Sequence, residues 1–317
     1  MIDCFVGFDT SNYTTSAAVC TLDGEVIANI KAPLPVKSGE CGLRQSDAVF
    51  AHVKNLPEVC DRLRKTLLGK RVLAVGYSAR PRDAEDSYMP CFLSGVAAAH
   101  SFSASIDAPL FAFSHQNGHV MAAAYSAGVS EEAMKNPFWA FHVSGGTTEA
   151  LHVTPQEGDF DVRLVCATED LNAGQAIDRI GVMMGLRFPC GKELELLAQK
   201  NTRTLPHFRV CVKNGCCNLS GLQNLAEKLF KESGDKSFVA AFTLAFIGET
   251  LWEMTRFLDG QKNSLPIVYA GGVMSNRYLQ ARLAERHNTY FADPQFSADN
   301  AAGIALLCRA RYLNTEK

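Results

Sequence analysis

The spacing of apolar and polar residues predicts two similar groups of three strands in this chain. The first group covers Cys4–Cys20, which contains an apolar strand, a small polar turn and a second strand, and it continues into a third strand ending near Ile30. The second group covers Phe138–Val153 and continues into a third strand around Val162–Val165. The pattern therefore predicts two meanders of similar design.

The distance between these two groups indicates duplicated domains. Asp9 and Ser144 occupy equivalent positions in the two turns and lie 135 residues apart (144 − 9 = 135). A solenoid would repeat about every 20–50 residues. A chain of 317 residues is also long for one core, so we expect two domains of similar plan.

After each meander, apolar patterns typical of helices alternate with short apolar strands. This alternation predicts an α/β protein with mostly parallel central strands. The stretch 187–236 is rich in Asn, Cys, Gly and Lys, and we interpret it as an insertion. The predicted elements are helices at Ser46–Leu67, Leu93–Ser105, Ala173–Leu186, Ser237–Leu258, from Asn276 and at Ala298–Tyr312, with strands at Val72–Ser78, Leu110–Phe113, Ile267–Ala270 and Thr289–Ala292.

The charge balance excludes a protein that binds nucleic acid through a strong overall positive charge. There are 31 Lys and Arg against 33 Asp and Glu, which gives a net charge of −2. The segment Lys54–Arg82 is locally basic, and a solvated helix face is the default explanation for such a run. If tRNA binds, we expect it to contact this segment or a partner protein.

The cysteines and apolar runs predict a cytoplasmic protein with no membrane association. The longest apolar run, Phe238–Gly248, is about half the length that spans a bilayer. The acidic residue Asp3 stands where a secretory signal would be basic. The 11 cysteines form no CxxC pairs, so we interpret them as reduced thiols, with a zinc site at Cys211, Cys216 and Cys217 as the less favoured alternative.

Three turns contain residues suited to phosphate or nucleoside binding. Asp9–Thr15 and Ser144–Thr148 combine small residues with hydroxyl groups, as anion-binding loops do, but such residues also form ordinary hairpin turns. Their equivalent positions favour a pair of phosphate loops. Ala270–Asn276 joins a strand to a helix, where Asn276 would cap the helix, bind a nucleoside, or do both.

A pair of histidines at helical spacing is a candidate metal site. His115 and His119 are four residues apart and so share one face of a helix. Two surface histidines are the alternative, and Gln116 replaces the glutamate that a metalloprotease would need after its first histidine. Asp299 is a candidate third ligand. Two histidines and one carboxylate would leave open positions for a substrate.

Several of these motifs, in this order, resemble the TsaD (Gcp) family of tRNA threonylcarbamoyladenosine synthases, once classed as glycoproteases. The resemblance implies an α/β fold made of two duplicated actin-like, sugar-kinase-like and heat-shock-chaperone-like (ribonuclease H-like) domains with a central cleft holding the active site. It places the domains at 1–127 and 128–297, with the helix 298–317 packing back on the first. The motifs are His115–His119, Val143–Gly146, Ala173–Arg179, Phe188–Gly191, Ser220–Leu222, Gly271–Asn276 and Asp299–Asn300.

The resemblance also implies the ligands and the reaction. His115, His119 and Asp299 would hold one divalent ion, iron or zinc, and no catalytic residue is assigned beyond this metal site. The adenylate or ATP-type part of threonylcarbamoyl-adenylate would bind Val143, Ser144, Gly145, Gly146, Asp178, Gly191, Glu195 and Asn276. The threonylcarbamoyl group would be transferred to the exocyclic amine of a tRNA adenosine. Partner proteins are expected, including a heterodimer with an actin-like paralogue.

The sequence departs from the family pattern at several positions. The family loop Glu-Thr-Ser-Cys-Asp-Glu is here Asp9–Thr14, which contains Asn12 and lacks both later acids. A Gly-Pro-Gly loop is replaced by Arg80–Arg82, a histidine by Thr147, an acid by Gln175 and a lysine by Gln223. These changes favour a diverged paralogue. The alternatives are a carbamoyltransferase that uses another acceptor and a non-catalytic partner or scaffold.

Overall fold

The protein consists of two compact units, seen in a computed structural model that describes residues 1–11, 13–35, 43–261 and 265–315. Unit 1 comprises Met1–Asn136, Thr154–Val162 and Gln295–Lys317, and unit 2 comprises Pro137–Val153 and Arg163–Pro294. Asn12, one of the positions that departs from the family pattern, lies outside the described residues, as do the last two residues of the helix predicted at 298–317.

Unit 1 contains one five-stranded sheet covered by helices. Strand β1 is long, apolar and almost entirely buried, as expected for a central strand. The elements are β1 Ile2–Thr10, β2 Thr14–Thr21, β3 Val26–Pro33, α1 Gln45–Thr66, β4 Lys70–Arg80, α2 Phe92–Ile106, β5 Leu110–Ser114, α3 His115–Ser126 and α4 Ser130–Ala133, with the later α10 Pro294–Ser297 and α11 Ala302–Thr315.

Unit 2 contains a second five-stranded sheet and a two-stranded hairpin. A single turn of 3₁₀ helix, Gly272–Ser275, follows its strand β11. The end of β7 and the start of β8, within Thr154–Val162, belong to unit 1. The elements are β6 Phe138–Val143, β7 Thr148–Gln156, β8 Asp159–Ala167, α5 Ala173–Met183, α6 Gly191–Ala198, β9 Cys211–Lys213, β10 Cys216–Asn218, α7 Ser220–Ser233, α8 Lys236–Gln261, β11 Ile267–Ala270, α9 Arg277–Leu283 and β12 Thr289–Phe291.

The two large sheets have the same strand order, which confirms the predicted duplicated α/β fold. In unit 1 the order is β3-β2-β1-β4-β5, and in unit 2 it is β8-β7-β6-β11-β12. In both sheets the first two strands pair antiparallel and the central strand pairs parallel with a later one. The repeat seen in the sequence therefore corresponds to one topology used twice.

Helix α11 completes unit 1 by packing on the sheet and on α3. A Cβ atom at Gly303 would lie 1.8 Å from the carbonyl oxygen of Gly118, so the two helix backbones touch at this point. A Cβ at Gly7 of β1 would lie 2.5 Å from the backbone nitrogen of Ala305. These close approaches need glycine because any side chain would occupy the space of the neighbouring backbone.

Helix α8 forms the centre of unit 2. By length and composition it is the one helix in the described residues that could cross a membrane, but 78% of its apolar window is buried in the protein. The segment 187–236, which we interpreted as an insertion, contributes Leu194, Leu219 and Leu222 to the same core. It contains two helices and the β9–β10 hairpin.

The predicted elements agree with the structure to within three residues at each end, except at the start of the last helix. The pattern predicts a helix from Ala298, but α11 begins at Ala302. The side chain of Asn300 accepts a hydrogen bond from the backbone nitrogen of Ala302 (3.0 Å) and so marks the helix start. Asp299 therefore lies before α11 and is not part of that helix.

Candidate metal centre and nucleotide site

Helix α3 presents both predicted histidines on one face, within unit 1. The side chain of Ser114 caps the helix by accepting a hydrogen bond from the nitrogen of Asn117 (3.1 Å). His115 and His119 are then one turn apart, with ring centroids separated by 4.3 Å and Nε2 atoms by 2.9 Å. Their nitrogens thus point to the same place.

Asp299 reaches the same point from the turn before α11. Its Oδ1 lies 3.2 Å from Nε2 of His119 and 3.6 Å from Nε2 of His115. In a tetrahedral site with bonds of about 2.0–2.1 Å, ligand atoms are about 3.3 Å apart. The three side chains therefore fit a divalent ion of the zinc or iron type, and theirs is the one such group among the residues that the structure describes.

The electrostatics of this cluster also suit a cation. Burial opposes a charge on His115, but the carboxylates of Asp9 and Asp299 outweigh it and raise the pKa of His115 to about 10. Burial would raise the pKa of Asp299, yet hydrogen bonds and positive charge from the two histidines hold it far below its usual value. Both shifts show that this cluster favours positive charge on the histidine side and a carboxylate at Asp299.

Asp9 and Ser11, at the turn after β1, belong to this cluster. The phosphate loop expected over Asp9–Thr15 stays a prediction, because Asn12 in this turn lies outside the described residues. Nδ1 of His115 lies 2.8 Å from Oδ1 of Asp9, and Oγ of Ser11 donates to Oδ2 of Asp299 (2.7 Å). Oγ of Thr10 donates to the carbonyl of Cys91 (3.0 Å). The side chains of Asp9, Thr10 and Ser11 are therefore occupied by partners inside unit 1.

The equivalent turn in unit 2 is open. Oγ of Ser144 accepts hydrogen bonds from the nitrogens of Gly146 (3.2 Å) and Thr147 (3.1 Å), which curls the backbone between β6 and β7. A Cβ on Gly145 or Gly146 would meet no atom within 4 Å. This turn therefore offers exposed backbone, as an anion-binding loop requires.

Two glycines hold other segments close to this turn. A Cβ on Gly174, at the start of α5, would lie 2.7 Å from the Cα of Gly145 and from the carbonyl oxygen of Ser144. A Cβ on Gly271 would lie 2.2 Å from the carbonyl oxygen of Val143, and Gly271 has a φ of 102° that favours glycine. The β6–β7 turn, the start of α5 and the end of β11 thus meet in unit 2.

The remaining predicted nucleotide-binding residues link the elements around this junction. Asp178 of α5 accepts a hydrogen bond from the nitrogen of Cys190 (2.8 Å), directly before Gly191 and α6. Glu195 of α6 accepts one from the nitrogen of Arg277 at the start of α9 (2.8 Å). Each carboxylate thus uses one oxygen to join two segments.

Asn276 performs the capping role that the sequence suggested. Its Oδ1 accepts a hydrogen bond from the nitrogen of Leu279 (3.1 Å), and its side chain is buried. Gly191 is open, because a Cβ there would only reach ordinary contact with Ile177 at 4.0 Å. All the predicted nucleotide-binding residues therefore belong to one connected set of segments in unit 2.

Much of the basic charge in Lys54–Arg82 is already paired. Arg71 makes two hydrogen bonds to the carboxylate of Asp3 (2.8 and 2.7 Å). Arg80, at the position of a family glycine, binds Asp83 (2.5 Å). Arg64 and its neighbour Lys65 are exposed.

Residue spacing alone did not reveal the contact between Asp9 and His115. These two residues are 106 positions apart, and the sequence offers no periodic signal that joins them. One signal was present, because an acidic residue within an otherwise apolar strand must be buried against a partner. Asp9 follows five consecutive residues without charge, Cys4–Phe8.

Comparison with known proteins identifies sequence relatives over most of the chain. The family model described as "TsaD: tRNA N6-adenosine threonylcarbamoyltransferase" matches residues 47–306. A protein of Streptococcus sanguinis (strain SK36) named tRNA N6-adenosine threonylcarbamoyltransferase is 30% identical over 290 residues, which cover 88% of this chain and 82% of that protein.

Solved structures of low sequence identity share the fold. HypF from T. kodakarensis superimposes with a TM-score of 0.62 at 11% identity, covering 99% of this chain and 48% of that chain. Component A of the (R)-2-hydroxyglutaryl-CoA dehydratase of Acidaminococcus fermentans gives 0.54 at 15% identity, covering 98% and 99%. Together with the ROK hexokinase of Thermus thermophilus (TM-score 0.50 at 17% identity, covering 98% of this chain and 99% of that chain), these neighbours confirm the actin-like and sugar-kinase-like architecture.

Proposed function

Because this chain belongs to the TsaD family of tRNA N6-adenosine threonylcarbamoyltransferases, we propose that it transfers the threonylcarbamoyl group of threonylcarbamoyl-adenylate to the exocyclic amine of a tRNA adenosine. The observation that carries this proposal is the convergence of His115, His119 and Asp299. A scaffold protein has no chemical need for such a group, so the geometry favours an enzyme.

We propose that these three residues bind one divalent ion, iron or zinc. Two neutral imidazoles and one carboxylate suit either metal, and three protein ligands leave coordination positions for a substrate. A bound ion would supply Lewis acidity toward a carbonyl oxygen of the transferred group. Asp299 is held ionised by its histidine neighbours, so it is ready to act as a ligand at neutral pH.

We propose that unit 2 binds the adenylate part of the substrate. The exposed backbone at Gly145 and Gly146 suits a phosphate, since no side chain blocks its approach. Asp178 is half-buried and uses Oδ1 on Cys190, so its second oxygen can accept a hydrogen bond from a ribose hydroxyl. Gly191 allows the nucleoside to approach the backbone closely.

Partner proteins are part of the proposal. Exposed apolar side chains on α1 and α2, Phe50 (66% exposed), Val53 (55%) and Leu93 (50%), support a heterodimer with an actin-like paralogue through these helices. Arg64 and Lys65 support contact with tRNA phosphates. A cytoplasmic location stays a prediction from the sequence.

The proposed reaction is tested by incubating the purified protein with threonylcarbamoyl-adenylate, tRNA and its partner proteins. We expect modified adenosine in the tRNA, detected by mass spectrometry, and its loss in H119A. Glu131 is an exposed residue of the short helix α4, and the variant Glu131→Gln is the matched control, which should keep the activity. Absence of modified adenosine with the wild-type protein and partners present would overturn the proposed acceptor.

A further inference from the structure

We propose that Asp9 and Ser11 are positioning residues, which orient the proposed metal ligands His115 and Asp299 through the side-chain atoms that do not face the metal. This inference rests on the proposed metal site and extends it to residues that no part of the sequence comparison assigns. Asp9 lies at the end of β1 and Ser11 directly after it, two positions apart, and both side chains reach the cluster of His115 and Asp299. Thr10 points the other way and binds the Cys91 carbonyl.

Asp9 sets the orientation of His115. Its side chain is fully buried, and its Oδ1 lies 2.8 Å from Nδ1 of His115 and also accepts a hydrogen bond from Ser78. When Nδ1 donates its hydrogen to Asp9, the lone pair of His115 must lie on Nε2. That atom is the one directed at His119 and Asp299, so this contact selects the tautomer that a metal needs.

The burial of Asp9 gives a second reason for this role. Its Oδ2 is buried and has no hydrogen-bond partner among the described residues. A buried carboxylate oxygen without a hydrogen-bond partner is costly. The side-chain partners of the other oxygen, Oδ1, are Ser78 and His115. The fold thus retains the buried Asp9, in spite of its energetic cost, where it contacts the proposed ligand His115.

Ser11 performs the same task for Asp299. Its Oγ donates to Oδ2 of Asp299 (2.7 Å), which turns Oδ1 toward the histidines. The carbonyl of Ser11 accepts a hydrogen bond from Nε2 of His52 (2.7 Å), and Nδ1 of His52 pairs with Thr15 (2.8 Å). Burial lowers the pKa of His52, which keeps it neutral and able to accept from Thr15. Ser11 and Thr15 are therefore both hydrogen-bonded to His52 of α1.

The test measures zinc affinity of the metal-free protein by competition with a chromophoric chelator at constant pH. Loss of a residue behind a metal ligand typically weakens binding about 10–100-fold. We expect a loss of about 100-fold for Asp9→Ala and about tenfold for Asp9→Asn, since the amide still accepts from Nδ1 but carries no charge. For Ser11→Ala we expect about a tenfold loss.

Asp159→Asn is the matched control. Asp159 is another poorly exposed acid that binds helix α3, because its Oδ1 accepts from Nδ2 of Asn117 (2.8 Å), but it contacts neither histidine. We expect its zinc affinity to stay within about threefold of the wild type even if the protein is less stable. If Asp9→Ala does not fold, Asp9→Asn and Ser11→Ala decide the question.

The outcomes separate the inference from the proposed function. If the wild type binds zinc and Asp9→Asn and Ser11→Ala bind it equally well, the positioning role is wrong while the metal site stands. If Asp159→Asn loses as much affinity as Asp9→Asn, the loss reflects general destabilisation and the positioning role is again wrong. If the wild type binds neither zinc nor ferrous iron, the proposed metal site itself fails.

Discussion

Replacing Gly303 by alanine tests how tightly the two helices around the candidate metal centre must pack. The added Cβ would lie 1.8 Å from the carbonyl oxygen of Gly118 and 2.9 Å from the nitrogen of Ala122. Real Cβ contacts below 3.0 Å are essentially absent, so α11 must move away from α3 by about 1.2 Å (3.0 − 1.8 = 1.2). Both clashing atoms belong to the backbone and cannot rotate away.

The expected cost follows from that displacement. Overpacked cores lose about 1–3 kcal/mol, and we expect the upper end, about 3 kcal/mol, because a whole helix must shift. Asp299 lies just before α11 and would move with it, whereas metal–ligand distances tolerate only about 0.2 Å. We therefore expect the G303A variant to bind zinc at least about tenfold more weakly than the wild type.

Urea unfolding of the metal-free protein and chelator competition measure the two effects. Gly118→Ala is the control on the same interface: its Cβ would lie 2.8 Å from Cδ1 of Ile304, the mobile end of a side chain. The better helix propensity of alanine, up to about 1 kcal/mol, should offset that contact. The reasoning is refuted if G303A keeps both the stability and the zinc affinity of the wild type.

Three further changes test other parts of the structure. Gly174→Ala should weaken binding of AMP by the protein in calorimetry, since its Cβ would displace the turn at Ser144; unchanged affinity would contradict this role of the turn. Asp170→Ala should lower the free energy of unfolding by about 1 kcal/mol, because its carboxylate caps α7 at Leu219 and Ser220. Although burial opposes it, these hydrogen bonds lower the pKa of Asp170 to about 2, so its stabilisation should be present above pH 3.8 and be lost as the pH falls toward 2, a dependence absent in Asp170→Ala. Zinc at 100 times its Kd should stabilise the wild type by about 2.7 kcal/mol in thermal unfolding, whereas H119A should show no such gain.

The sequence predicted the architecture well because strand and helix signals are local. The two meanders, the alternating helices and the 135-residue repeat follow from patterns within short windows, and the shared strand order confirms them. The pair His115 and His119 was also found locally, through helical spacing. Their convergence with Asp299 agrees with the resemblance, while metal binding itself stays a prediction.

What the sequence did not predict depends on contacts between distant segments. The role of Asp9 requires β1 to lie beside α3, and the need for glycine at 303 requires two helices to touch. The start of α11 was wrong by four residues, because Asn300 caps the helix while the apolar pattern continues through the preceding turn. Such details arise only when the chain has folded.

The position of α11 along the chain has a consequence for synthesis on the ribosome. Unit 1 begins with β1, but its sheet is covered on one side by α11, which is translated only after the whole of unit 2. The apolar face of β1 must therefore wait, exposed or held by a chaperone, while Pro137–Pro294 emerge and can fold first. The candidate metal centre forms last of all, since Asp299, its proposed third ligand, arrives 180 residues after His119.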